Sequence, residues 1–552
     1  MNTRSAPPHL PRPAAPLPPA RRAAPPSPQR KHPTPTPPMT PDLATATFTP
    51  RTLSLPDYIM LALYFALNLG IGWWCARRKK NSAGDYFLGG GRVLWWAAAI
   101  SFFATSTSSI SFMALPAKAY DTDWLAFGSA PAQALAGILV GLVFVTGLRR
   151  MNMTTIYSYL ERRYDRRVRL LGAGLGVFLK VGGRMSVVLL LPALALSTVT
   201  GLNVYLSIAL MGGVTTIYAL EGGFEAVIWT EVLQVLVTFG GVAVALWFLA
   251  HGVDGGLSGI IANGMAADKF RALSWEPELT QPTLLVFIGM FFATIFTQIS
   301  DQPLMQRMLA SANVKEARRT VIIGNTIGLA SSVVFFFVGS SLWVFYQAHP
   351  GRLEAGLPND AIFPYFIANE LPRGVVGLIV AGLFAASMGA LSSILNATAS
   401  VVVSDFQGTL RPRSTERHRV RLARATTLIC GVIATASAMY LASLNVASLW
   451  DQFIKLVALI GGGFPGVFAL GLLTRRANAT GVMVGAVASI GVTWWVQSHT
   501  ATNPFFHGFV AIATCMLIGY ITSLLTARAT DKKPLAGLTL WDRSPKELAK
   551  ID

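Results

Sequence analysis

The chain has 552 residues, 53% of them hydrophobic and only 13% charged, with a mean hydropathy of +0.50. Soluble domains carry about a quarter charged residues, so a soluble enzyme or binding module is excluded and a polytopic membrane protein is implied. The formal net charge of +19 does not indicate nucleic acid, because the basic residues sit in short loops between apolar runs, where they set topology.

The first ~50 residues are rich in Pro, Ala and Thr, carry several Arg, and have one acidic residue, Asp42. They contain no continuous apolar region of the secretory-signal kind. Two readings stand for residues 1–50: a disordered tail, since such a composition cannot offset its ordering entropy, or a chain that begins in effect at Met39.

Apolar runs of about 20 residues cross the hydrocarbon core. Thirteen are predicted, at 56–76, 94–118, 124–147, 169–198, 203–220, 225–250, 282–300, 320–347, 374–403, 425–444, 449–473, 479–497 and 505–526. Basic residues crowd alternate loops. They are Arg77 to Lys80, Arg149 to Arg169, Arg307 to Arg319, Arg411 to Arg424, Arg475 with Arg476, and Lys532 with Lys533. The opposite loops hold only Lys118, Lys269, Arg271, Arg352 and Arg373 among a few others. This asymmetry predicts an N-terminus outside, a C-terminus in the cytoplasm and an odd number of spans. The exterior loop 348–373, with four prolines, is expected to hold a short lid helix. Cys75, Cys430 and Cys515 lie in or beside apolar spans without metal-ligand spacing and read as packing residues.

Polar side chains inside the spans carry the functional signal. Between Ala104 and Ser111 six of eight residues bear a hydroxyl, in a stretch otherwise apolar enough to span. One or two could bond back to their own helix; six predict a face or an unwound turn lining a polar cavity at membrane depth. Arg184 lies well inside the fourth span, where an arginine costs several kcal/mol unless paired or facing water. Its bidentate fork suits a substrate carboxylate, whereas Lys180 fits snorkelling toward an interface. Glu231, early in the sixth span, predicts a cation ligand or a proton carrier. In the seventh span Thr297, Gln298 and Ser300 form a second polar interruption. In the ninth, Ala386, Gly389, Ala390 and Ser393 share a small-residue face suited to close packing, and Ser392 and Ser393 add ligand oxygens. Asp451 and Lys455 read as an ion pair on a helix surface.

On these stretches the chain resembles the sodium:solute symporter family. They are Asp85-Tyr-Phe-Leu-Gly-Gly-Gly-Arg, Tyr157-Ser-Tyr-Leu-Glu-Arg-Arg-Tyr, the run from Ile217 to Gln234 that contains Trp-Thr-Glu-Val-Leu-Gln, Gln306-Arg-Met-Leu-Ala with Lys315-Glu-Ala-Arg-Arg, and Thr474-Arg-Arg-Ala-Asn-Ala-Thr-Gly. The likeness covers about 54–526. It implies an all-α membrane fold with a LeuT-type inverted five-plus-five repeat. Repeat 1 would span 93–250 and repeat 2 282–473, with a first span and cytoplasmic loop at 54–92, two extra spans at 478–526 and a cytoplasmic tail at 527–552.

The resemblance also carries site residues. The common sodium site would use carbonyls of Ala104, Thr107 and Ala386, but its two side-chain hydroxyl positions here are Gly389 and Ala390. A second sodium site would use Glu231, where the family has Asp, with Ser392 and Ser393. The coupling ion therefore reads as sodium, or as a proton if Glu231 titrates. The stretch from Thr107 to Trp124 is most similar to the branch that transports sialic acids, in which the positions of Ser108, Ser111 and Arg184 hold the substrate carboxylate; Gln298 joins them as a candidate contact. The expectation is a cell-membrane symporter of a small organic acid, with the bilayer and that solute as its partners, no nucleic acid and no obligate protein partner. The rivals are a symporter of a monocarboxylate, proline, neutral sugar or vitamin, and a transporter-fold sensor, which the short stretch after residue 526 disfavours. An enzyme is not expected, since the histidines cluster in no span and no nucleophile–base pair stands out.

Overall fold

The computed structural model describes residues 52–77, 82–91, 93–107, 109–354, 356–411, 413–444, 461–526, 535 and 537–542. All of them fall in the unit 47–552. The expected N-terminal tail, Ser108, Asp451, Lys455 and most of the tail after 526 lie outside the described residues, as does the first half of the predicted eleventh span.

The principal helices, in chain order, are α1 (Leu55–Ala76), α2 (Trp95–Ser106), α3 (Ser109–Asp121), α4 (Leu125–Arg150), α5 (Arg166–Ser197), α6 (Val204–His251), α7 (Leu284–Ser300), α8 (Gln302–Ala310), α9 (Val314–Ala348), α10 (Asn359–Glu370), α11 (Val375–Leu410), α12 (Glu416–Ser443), α13 (Phe464–Leu473), α14 (Ala479–His499) and α15 (Pro504–Leu525), with shorter ones at Ala83–Leu88, Tyr157–Arg163 and Gly256–Ala266. Among the described residues, nine helices are long and apolar enough to cross a membrane, and two bent pairs raise this to eleven. Many begin where a side-chain oxygen accepts an otherwise orphaned backbone N–H. Asn203, Asn313 and Asn478 do so for Leu206, Glu316 and Gly481 at 2.8–3.1 Å.

α6 is not one span. Its 48 residues would run about 72 Å at 1.5 Å per residue, more than twice the ~30 Å hydrocarbon core. It breaks at Gly223, whose φ of 57° and ψ of −152° are open only to glycine. A Cβ there would also stand 2.9 Å from the carbonyl oxygen of Tyr86. Gly223→Ala is accordingly expected to destabilise the fold by about 1–3 kcal/mol from backbone strain alone, read as a lower thermal unfolding midpoint in detergent. An unchanged midpoint would show that the break lies elsewhere.

α11 is the central helix, buried over 83% of its most apolar stretch against 28% for α1, α14 and α15. It packs along α6, and its N-terminus is held by α1. There the Asp57 carboxylate accepts from the backbone N–H groups of Gly374 and Gly377 at 2.7 and 2.8 Å. Close approach is possible because Gly377 has no side chain; a Cβ would meet the Asp57 backbone at 2.5 Å. α10 forms within the loop where a lid helix is expected, with Ile362, Phe363, Phe366 and Ile367 buried.

Both predicted interruptions are breaks. α2 ends at Ser106, Thr107 is extended (φ −99°, ψ 135°), and α3 leaves at 61°. α7 ends at Ser300, Asp301 is extended (φ −87°, ψ 105°), and α8 leaves at 64° with Pro303 in its first turn, where no N–H is needed. Before the second break the hydroxyls of Thr297 and Ser300 bond back to the carbonyls of Ala293 and Thr297.

Several arginines assigned to cytoplasmic loops are structural. Arg163 is 4% exposed and donates to the carbonyls of Gly471, Thr474 and Ala477, joining α13 to the start of α14. Arg169 pairs with Asp405 at 2.8 Å and Glu161 at 2.6 Å. Arg307 lies in no loop at all, but on α8, where every residue from Gln302 to Ala310 is buried.

Candidate functional site

The site is built at the two breaks and the helices that cross between them. At the first, α2 terminates with the carbonyls of its last turn unclaimed by helix, and its dipole presents partial negative charge there. Thr105 bonds back to Ser101 and meets the Ser393 hydroxyl of α11 at 3.0 Å; Ser106 bonds back to Phe103. Ala104, Thr107, Ala386 and Gly389 line one small cavity of about 30 Å³ with Phe103, Phe112, Gln234, Thr238, Phe239 and Phe335. Three of the expected ion ligands, Ala104, Thr107 and Ala386, are thus brought together. Thr107 and Ser111 are half-buried on either side of the break.

The second break carries charge. The Lys180 ammonium donates to Asp301 Oδ1 at 2.9 Å, and Arg184 Nη1 stands 3.7 Å from Asp301 Oδ2, too far for a hydrogen bond. α5 sets this up with a π-turn over Lys180–Arg184, where the Met185 N–H reaches back five residues to Lys180. Lys180 is therefore an ion-pair partner and not a snorkelling lysine. Arg184, expected to have no partner of its own in the chain, shares Asp301; its side chain keeps 40% exposure. Two cations face one carboxylate, so the cluster carries one uncompensated positive charge.

Glu231 sits in a closed network. Arg307 Nη2 reaches both carboxylate oxygens at 3.1 and 3.2 Å, and the Ser101 and Ser393 hydroxyls donate one to each. Arg307 also donates to Ser101 Oγ at 3.0 Å, Ser393 Oγ at 2.5 Å and the Pro303 carbonyl at 2.8 Å. Both charged side chains are fully buried. The position read from sequence as an ion site is filled by the chain's own guanidinium, which corrects the placing of Arg307 in a loop. Ser392, grouped with Glu231 from sequence, instead donates to the Gly389 carbonyl at 3.0 Å. Gln298 is committed as well. It exchanges hydrogen bonds with Asn325 at 2.8 and 3.4 Å, an amide pair that joins α7 to α9 in place of the expected substrate contact.

Sequence inspection missed Asp301, Arg307 and Gln234 as site residues. The signal for the first two was present in Asp301-Gln-Pro, which restarts a helix and carries Arg307 back inward.

A helical bundle with two broken helices, one lining a buried cavity and the other carrying the Asp301–Lys180–Arg184 charges, has the build of a secondary active transporter. The sodium:solute symporter family model matches residues 86–489, and the chain belongs to that family. It is 36% identical over 428 residues to the sodium/sialic acid symporter NanT of Aliivibrio fischeri, covering 77% of this chain and 84% of that one. It is likewise 36% identical over 436 residues to the sodium/sialic acid symporter SiaT of Proteus mirabilis, covering 78% and 87%. Among solved structures, a substrate-bound, outward-open Na+-coupled sialic acid symporter superposes with a TM-score of 0.80 at 34% identity, over 87% of this chain and 100% of that one. Mhp1, a nucleobase-cation-symport-1 family transporter, shares the fold with a TM-score of 0.52 at 13% identity, over 82% and 95%.

Proposed function

We propose that the chain is a sodium-coupled symporter that imports an acidic sugar of the sialic acid class by alternating access. The observation that carries the substrate charge is the cluster at the second break, where Lys180 and Arg184 share Asp301 and leave Arg184 half-open with positive charge to spare. A carboxylate matches that fork. Ser111, near the start of α3, and Ser108 are assigned to the same carboxylate, and Ala104, Thr107 and Ala386 to the ion. Glu231 is not assigned a sodium ion, because a second cation would crowd a carboxylate already neutralised by Arg307. Proton coupling through Glu231 would require it to release Arg307 in every cycle.

The two breaks, one at Thr107 and one at Asp301, support repeats over 93–250 and 282–473. The division of α6 at Gly223 and the apolar stretch at 449–473 support thirteen spans, with the N-terminus outside and the C-terminus in the cytoplasm. Ion and solute bound at the breaks favour closure of the outer side, a shift set by their differential affinity for the two states. α10 is then the lid over the entrance.

Uptake into proteoliposomes under imposed gradients tests the reading. An inward sodium gradient at fixed pH is expected to drive accumulation of a sialic acid, and a neutral sugar is not expected to compete. Accumulation driven by a proton gradient without sodium, or equal transport of the neutral sugar, would overturn it.

A further inference from the structure

Residues 251–281 join the two proposed repeats, and nothing in the transport reading gives this linker a task. Its short helix Gly256–Ala266 ends where Asp268 takes a left-handed φ of 57°. The Lys269 N–H then returns to the Gly264 carbonyl at 2.9 Å, and the Lys269 side chain turns into the protein. It is 7% exposed. Lysine is almost never buried unless its ammonium is paired, so its partners define its role.

Those partners lie at the end of α3. Lys269 Nζ donates to the carbonyls of Tyr120 and Thr122, each at 2.7 Å. Carbonyls at the close of a helix have no N–H of their own helix to claim them, and a cation there is favoured by the helix dipole. On its other side the ammonium stands 4.9 Å from the Trp343 ring of α9. Phe270 follows, its ring 5.3 Å from that of Trp124 and 6.4 Å from that of Phe337 on α9.

α3 is seated on α9 by two further contacts. Trp124, just past the end of α3, donates its indole N–H to Ser340 Oγ at 2.9 Å. Gly339 of α9 lies so close to Pro116 of α3 that a Cβ at 339 would collide with the Pro116 carbonyl. The linker thus clamps a helix of the first proposed repeat onto a helix of the second. The opposite end of α3 carries Ser111, roughly 16 Å along the helix from Thr122 at 1.5 Å per residue. A helix held at its far end and broken at Thr107 can pivot only about the break, so whatever fixes the far end also fixes Ser111.

We propose that Lys269 is a positioning residue for transport, holding the outer half of the first broken helix on α9 and thereby placing Ser111 against the solute. Lys269 touches neither ion nor solute. It makes α3 and α9 move as one body, with the extended residue Thr107 as the hinge. This inference rests on the symport reading above, which assigns Ser111 to the solute carboxylate.

Uptake in proteoliposomes and maleimide labelling of a Leu115→Cys reporter in detergent test it. Leu115 is half-buried one turn beyond Ser111, and the native Cys75, Cys430 and Cys515 are buried and add little background. For Lys269→Met the half-saturating concentration of a sialic acid is expected to rise about tenfold, the equivalent of one hydrogen bond to a charged group, with the maximal rate little changed. Labelling at position 115 is expected to quicken severalfold as α3 leaves α9. Lys269→Arg can still donate to both carbonyls and is expected to recover both readouts in part. A role in stability alone predicts a lower unfolding midpoint with unaltered half-saturation and labelling, and that result in a folded Lys269→Met would overturn the assignment. Should Lys269→Met fail to fold, Trp343→Leu decides the matter. It removes only the ring on the α9 side, and a change of about threefold in the same two readouts is expected; unaltered values would overturn the proposal. Failure of the unaltered protein to take up a sialic acid would instead remove the symport reading, whereas the labelling comparison needs no transport and tests the clamp by itself.

Discussion

Replacing Arg184 by alanine is expected to abolish uptake of the acidic substrate while leaving the protein folded. The fold survives because Lys180 remains on Asp301 at 2.9 Å, and Arg184 itself is only 3.7 Å from that carboxylate with 40% of its side chain exposed. The substrate loses its charge partner: truncating one member of a hydrogen-bonded charge pair costs about 2–5 kcal/mol, roughly a thirtyfold loss of affinity or more. Arg184→Lys keeps the charge without the planar fork and should retain part of the activity. Binding of a sialic acid by calorimetry, measured beside the unfolding midpoint, separates lost recognition from lost structure. Uptake by Arg184→Ala at the unaltered rate would exclude the assignment.

The second large effect is on stability. Glu231→Gln is expected to cost about 3–5 kcal/mol, because it leaves the Arg307 guanidinium buried without its counter-charge. Both side chains are fully buried, so solvent does not reach the guanidinium, and Ser101 and Ser393 would each lose a carboxylate acceptor. Pairing Glu231→Gln with Arg307→Gln should cost less than the sum of the single changes, since the double change removes both buried charges together. The same variants address the ion. A sodium ligand at Glu231 predicts a weakened sodium response with little loss of stability in Glu231→Gln. The ion-pair arrangement predicts a large fall in the unfolding midpoint, and additive single effects would refute it.

Much of the fold was legible because the signals that make it are local. Apolar length set the spans, as in 56–76 against the observed Leu55–Ala76 and 505–526 against Pro504–Leu525. The hydroxyl run at 104–111 marked the first break, whose extended residue is Thr107. The second break was found from the neighbouring Thr297, Gln298 and Ser300, although the extended residue is Asp301. Gly223 separates two runs that the sequence already divides between 220 and 225.

Partners were not legible. Arg307 stands among basic residues that by composition belong to a cytoplasmic loop, yet it is fully buried against Glu231, 76 residues earlier. Gln298 has the chemistry of a substrate contact, but Asn325 already satisfies its amide. By itself the sequence determined a helical membrane transporter of the sodium:solute symporter kind, with breaks in two spans and an arginine suited to an acid. Hydropathy, helix-breaking residues and motif strings are properties of neighbouring positions, so one dimension suffices to carry them. Only the tertiary structure decided which charges cancel and which remain to meet a solute. Those outcomes depend on helices packed across hundreds of residues, where an ångström of approach decides whether a buried polar group is satisfied.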